Sequence, residues 1–201
     1  MLRGLCLAEN DIGPVVLGKV LGALAVNSTL RLLDLNETGV GPTGGQLVAE
    51  DLARHDGVRT LLLAENDIDP VGVRCLADML STNTMLTALQ LSSNQVGEST
   101  ADLMKVLTNG NTTLTGLDRS FNAFGAGAST LGHVARGLAM NPALKTLDLV
   151  VNGMNTASVS EMAEGMVVNT VLTKLNLRVN NVCSSAATSL AAALEANTTL
   201  R

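Results

Sequence analysis

LRGLCLAEN, at residues 2–10, returns in altered form as LRLLDLNET (30–38), VRTLLLAEN (58–66), LTALQLSSN (86–94), LTGLDRSFN (114–122), LKTLDLVVN (144–152) and LTKLNLRVN (172–180). Leu200-Arg201 opens an eighth copy. Every step is 28 residues except one: Leu114 to Leu144 spans 30, so the fifth copy carries two extra residues around Gly125-Ala126-Gly127-Ala128. A fixed period of this size marks a solenoid, in which no unit buries its apolar face alone and each must stack on its neighbours. The reading is one continuous repeat domain over 1–201, with copies starting at 2, 30, 58, 86, 114, 144, 172 and 200.

Counted from the first apolar residue of each copy, apolar positions are 1, 4, 6, 11, 16, 19 and 23, and Asn recurs at 9 and 26. Alternation at positions 4 and 6 predicts a short strand. Positions 16, 19, 20 and 23, such as Val73, Leu76, Ala77 and Leu80, share one face of a helix. A strand, a turn and a helix leading to the next like-directed strand give a parallel sheet, which needs a crossover of this length. The Asn at position 9 (Asn10, Asn66, Asn94, Asn122, Asn152, Asn180) supplies an acceptor and two donors where the chain leaves the strand and its backbone loses ladder partners. Thr38 takes that place in the second copy. Gly13, Gly41, Gly97 and Gly125, at position 12, point to a turn with an unusual backbone conformation.

The LxxLxLxxN pattern, the 28-residue period and a full helix per copy resemble the ribonuclease-inhibitor-like leucine-rich repeats. The resemblance covers the whole chain. It implies an α/β solenoid, a right-handed horseshoe with a parallel sheet on the concave side and helices outside. Members include ribonuclease inhibitor, the sensor ends of NOD-like receptors, the Ran GTPase-activating protein and tropomodulin-type actin caps. They share protein-binding surfaces and no common chemistry. The expected function is therefore recognition of a partner protein. Regulation of a small GTPase and the capping or bracing of a filament are the alternatives. No residue motif of the GTPase regulators can be carried over, and their acidic tail is missing.

Composition narrows the classes further. The chain is 46 % hydrophobic with no Trp or Tyr, so its core is built from Leu, Val, Met and Ala. A net charge of -5 argues against a nucleic-acid footprint, which needs a basic face. The longest apolar stretch, 14–26, is broken by Lys19 and two glycines and is short of a membrane span. No secretory leader pattern is seen, and a cytoplasmic location is expected. Cys6, Cys75 and Cys183 are an odd number at unrelated repeat positions, read as reduced and mostly buried thiols. No phosphate loop, nucleophile elbow or metal-ligand spacing occurs, so no catalysis, cofactor or metal is expected.

Function must then sit on the variable positions. In the strand, positions 3, 5 and 7 point away from the inward leucines and line the concave face. Position 5 includes Asp34, Asp118 and Asp148, giving a shallow, mildly acidic groove. Two columns flank it. Position 2 carries Arg3, Arg31 and Arg59; position 8 carries Glu9, Glu37 and Glu65 in the first copies and Phe121, Val151 and Val179 in the last three. These residues are the candidate partner-binding surface, charged at one end and apolar at the other.

Arg119 stands where every other copy has an inward Leu at position 6, and the expectation is that it escapes to water through a local distortion. His55, in place of the Asn at position 26, and His133 are read as structural or solvated. No atypical copy is recognisable at either end. The expectation is a piece of a longer protein or a truncated gene product, with Leu2, Leu5 and Leu7 uncovered at one end and Leu190, Leu194 and Leu200 at the other. Such ends predict end-to-end self-association.

Overall fold

The computed structural model describes residues 1–122 and 128–200, with the side chains at 98, 100, 109 and 128–133 left aside. Gly125 and the inserted Gly-Ala stretch, and the side chain of His133, lie outside the described residues. Seven three-residue strands run β1 (Gly4–Cys6), β2 (Leu32–Asp34), β3 (Thr60–Leu62), β4 (Ala88–Gln90), β5 (Gly116–Asp118), β6 (Thr146–Asp148) and β7 (Lys174–Asn176). Each is followed by a helix: α1 (Gly13–Leu24), α2 (Gly41–Leu52), α3 (Pro70–Thr82), α4 (Thr100–Asn109), α5 (Ala128–Met140), α6 (Thr156–Val168) and α7 (Ser184–Ala196). The strands form one parallel sheet in chain order. Leu33 pairs with Leu61, and Leu117 with Leu147, so the two extra residues of the fifth copy leave the strand register intact. This is an α/β solenoid of seven stacked strand–helix repeats.

The leucine columns explain why the chain stacks. Leu33, Leu35, Leu61 and Leu63 are fully buried between sheet and helices, as are Leu17, Leu52, Leu76 and Leu80 from the helix faces. Each such side chain contributes about 1.5–3 kcal/mol of burial, and only its neighbours make that burial complete. The second and third helices meet closely: a Cβ on Gly45 would lie 2.9 Å from Ile68 Cγ2 and 3.0 Å from Gly72 Cα. The glycines permit that contact.

The asparagine column works as a hydrogen-bonded spine. Asn94 Oδ1 accepts from the backbone N–H of Asn66 (3.2 Å) and Ile68 (3.0 Å), while its Nδ2 donates to Leu63 O (2.8 Å), Leu91 O (3.1 Å) and Ser92 O (3.1 Å). Asn66 and Asn180 make the same link one copy back. Thr38 substitutes by donating its hydroxyl to Leu35 O at 2.7 Å. A second column at position 26 ties a loop to the helix of the preceding copy: Asn83 Nδ2 donates to Leu52 O at 2.7 Å and Asn111 Nδ2 to Leu80 O at 2.8 Å. His55 fills the acceptor half of this role, its Nδ1 receiving Gly57 N–H (3.0 Å) and Val58 N–H (3.2 Å). It is structural.

Two expectations need correction, and one backbone feature is new. Arg119 does not escape to water: it is 0 % exposed, because the strand register carries it inward regardless of its charge. Desolvation lowers its guanidinium to about 9. Nor are the cysteines mostly buried: Cys6 and Cys183 are exposed and Cys75 is intermediate, since each falls on a variable position and none on a leucine column. Cys183 sits at the start of α7, where Ser185 and Thr156 hydroxyls and the Ala186 and Ser185 amides hold its thiol down to about 6. Finally, every residue at position 8 is left-handed, from φ 50° at Glu37 to φ 59° at Glu9, with Val151 at 51° and Val179 at 55°. Gly13, Gly41 and Gly97 share positive φ values of 62°, 63° and 51°, as their spacing predicts.

At the first copy Leu2 is exposed while Leu5 and Leu7 are half-buried. At the last, Leu194 is exposed, and Leu190 and Leu200 join Met166, Leu175 and Leu177 around a cavity of about 270 Å³. Among the described residues, no helix is long and apolar enough to cross a membrane.

Candidate functional site

The face of the sheet opposite the helices carries positions 3, 5 and 7. Pairing in register places like positions side by side on adjacent strands, roughly 4.8 Å apart. Asp34, Leu62, Gln90, Asp118, Asp148 and Asn176 thus form one half-buried row. Each acidic member does a local job. Asp118 Oδ1 accepts from Ser120 N–H at 2.9 Å and from the Ser120 hydroxyl at 2.8 Å; Asp148 Oδ1 accepts from Val150 N–H at 3.0 Å and Asp34 Oδ1 from Asn36 N–H at 3.1 Å. The second oxygens reach sideways. Asp118 Oδ2 accepts from Gln90 Nε2 (3.3 Å), Asp148 Oδ2 from Asn176 Nδ2 (2.8 Å) and Asp34 Oδ2 from Cys6 Sγ (3.2 Å).

A cavity of about 340 Å³ opens on this face over β3–β7, bounded by Leu62, Ala88, Gln90, Gly116, Asp118, Thr146, Asp148 and Lys174. Its depth comes from Ala88 and Gly116, which put almost nothing above the backbone. Gln90, Asn176, Gly116 and Lys174 belong to the surface but were not singled out from sequence. Their signal was available in the position-3 and position-5 columns, where a missing side chain beside paired carboxylates marks a depression.

The two rims differ from one another. Arg3 and Arg59 are exposed at position 2, but Arg31 is half-buried and tied down, its Nη1 donating to Ser28 O (2.9 Å), Leu30 O (3.0 Å) and Gly57 O (3.3 Å). At position 8, Glu9, Glu37 and Glu65 are exposed, as are Phe121 at 53 % and Val179 at 63 %, with Val151 half-buried between them. All sit on left-handed turns, so their side chains leave the strand end at a fixed angle copy after copy. Among the described residues, no three His, Cys, Asp or Glu side chains cluster closely enough to hold a metal ion.

A family model described as leucine-rich repeat matches residues 26–49 and 82–99. None of the curated proteins compared matches the chain. Among solved structures, the actin-binding site 2 of leiomodin-1 superposes with a TM-score of 0.57 at 17 % identity, covering 88 % of this chain and 86 % of that one. The tropomodulin C-terminal domain of Caenorhabditis elegans gives 0.57 at 14 % identity, covering 89 % and 91 %. An internalin of Listeria monocytogenes gives 0.56 at 21 % identity; it is longer, with 45 % of it covered by 94 % of this chain.

Proposed function

Since the chain is a leucine-rich-repeat solenoid, we propose that it is a protein-interaction module, binding a partner protein across the open face of its sheet and along both rims. One observation supports this most: strand register is unbroken from β1 to β7, even past the two-residue insertion, so positions 3, 5, 7 and 8 stay in continuous columns. A surface that ordered, free of the core's demand for leucine, suits recognition by many small contacts. Small side chains and the scarcity of Trp, Tyr and Arg on it favour a modest affinity. The exposed rim residues Arg3, Arg59, Glu9, Glu37, Glu65, Phe121 and Val179 supply charge and apolar area at its edges.

The test is capture of partners from cell extract by the wild-type chain, by Asp34→Lys on the open face and by Glu164→Lys on the exposed side of α6. Loss in the first variant alone fits the proposal. Loss in the α6 variant, with none in the first, rejects it. A second reading is an actin-type filament partner, favoured by the likeness to leiomodin-1's actin-binding site 2 and to a tropomodulin domain. Co-sedimentation with actin filaments tests it directly, and a chain left wholly in the supernatant would dismiss it.

A further inference from the structure

The open-face reading is the footing for a statement about what the partner looks like. We propose that β4–β7 receive a protein segment carrying a Lys or Arg beside an apolar residue. Its cation seats at Gly116 between Asp118 and Asp148, and its apolar side chain lies on the ridge of Phe121, Val151 and Val179.

The seat is both deep and negative. Gly116 has no side chain, and a Cβ there would meet only Thr146 Oγ1 at 3.1 Å and Ala88 Cβ at 4.0 Å. Asp118 and Asp148 are direct partners on neighbouring strands, an arrangement in which like charges repel. Among the described residues, their second oxygens accept from the neutral amides of Gln90 and Asn176, at 3.3 Å and 2.8 Å. The salt bridge found among the described residues lies elsewhere, between Lys105 and Asp102. A partner's cation placed between the two carboxylates offsets their repulsion. Lys174 closes the cavity at its β7 end, which holds that cation over β5 and β6.

The ridge carries an independent signal. Valine resists left-handed backbone more than most residues, yet Val151 and Val179 occupy it at φ 51° and 55°. The turn itself does not demand an apolar residue, because the first three copies place Glu there. Phe121 and Val179 nonetheless remain 53 % and 63 % exposed. Strain and apolar exposure kept together at one column fit a surface covered by a partner. Positions 5 and 8 are three residues apart, at most about 11 Å of extended chain, so one short segment reaches both.

The experiment selects a random twelve-residue peptide library, displayed on phage, against the immobilised full chain. Selected peptides are then titrated against variants. Asp118→Asn with Asp148→Asn keeps the Oδ1 acceptors for the Ser120 and Val150 amides while removing both charges. Gly116→Lys fills the seat with the chain's own cation, in space that only a rotatable Thr hydroxyl contests. Expected are peptides enriched in Lys or Arg near an apolar residue, with affinity falling about tenfold or more in both variants and several-fold in Phe121→Ser with Val179→Ser. Peptides lacking a basic residue that are still blocked by Gly116→Lys would overturn the partner's chemistry and leave the open-face reading standing. Peptides indifferent to Gly116→Lys would overturn the seat. No enrichment over bare support also overturns the seat, while extract capture judges the open face separately.

Discussion

Replacing Asn94 by Ala tests whether the asparagine spine holds the solenoid together. In the native chain Asn94 satisfies Asn66 N–H at 3.2 Å, Ile68 N–H at 3.0 Å and Leu63 O at 2.8 Å. Two further carbonyls have second donors: Leu91 O receives Asn122 Nδ2, and Ser92 O receives Glu65 N–H. The variant therefore strands three buried backbone groups, each costing about 1–3 kcal/mol. A water entering the vacated amide space offsets part of that, which leaves a loss of about 3–5 kcal/mol. Asn10 is the control. It is exposed, and its Nδ2 reaches only Leu7 O and Ala8 O of its own copy. Its replacement by Ala should cost under about 1 kcal/mol. The assay is urea unfolding followed by far-ultraviolet circular dichroism, since the chain has no Trp or Tyr to report by fluorescence. Equal losses at the two positions, or a loss under about 1.5 kcal/mol at Asn94, would refute the reasoning.

Arg119→Leu should raise stability by about 1–3 kcal/mol near neutral pH, because the leucine column then runs uninterrupted. The folded-state pKa of Arg119, about 9, lies well below its ordinary value, so the unfolded chain holds the proton more tightly above that pH. Wild type should therefore gain stability as pH rises past about 9, narrowing its gap to the variant; a pH-independent gap in paired urea titrations would contradict this. Alkylation of Cys183 by iodoacetamide should follow a titration centred near 6, and Thr156→Val, which removes one donor to the sulfur, should move that midpoint upward. An unmoved midpoint would deny the hydroxyl its role. Val179→Asn should stabilise the fold by about 1 kcal/mol, since Asn tolerates left-handed backbone, while weakening partner capture. Thermal unfolding and the capture assay together check the two halves.

Much of the architecture was legible from residue spacing, for a physical reason. A leucine at position 4 or 6 has one way to be buried, so Leu33, Leu61 and their equivalents announce strand, register and stacking. Asn94 and its column are equally legible, because a chain leaving a sheet inside a packed interior needs donors and an acceptor there. Tertiary structure alone decided the fate of Arg119: its charge argued for water, but paired neighbours on both sides fixed the strand and carried it inward. The left-handed turn under Phe121, Val151 and Val179 was equally invisible, since Glu, Ser, Phe and Val share no preference for that backbone and the stacking imposes it. Arg31 looked like a free rim charge until the fold brought Ser28, Leu30 and Gly57 carbonyls to its guanidinium. Periodic positions answer to burial, which spacing encodes. Variable positions answer to what the assembled neighbours bring beside them, and only the folded chain specifies that.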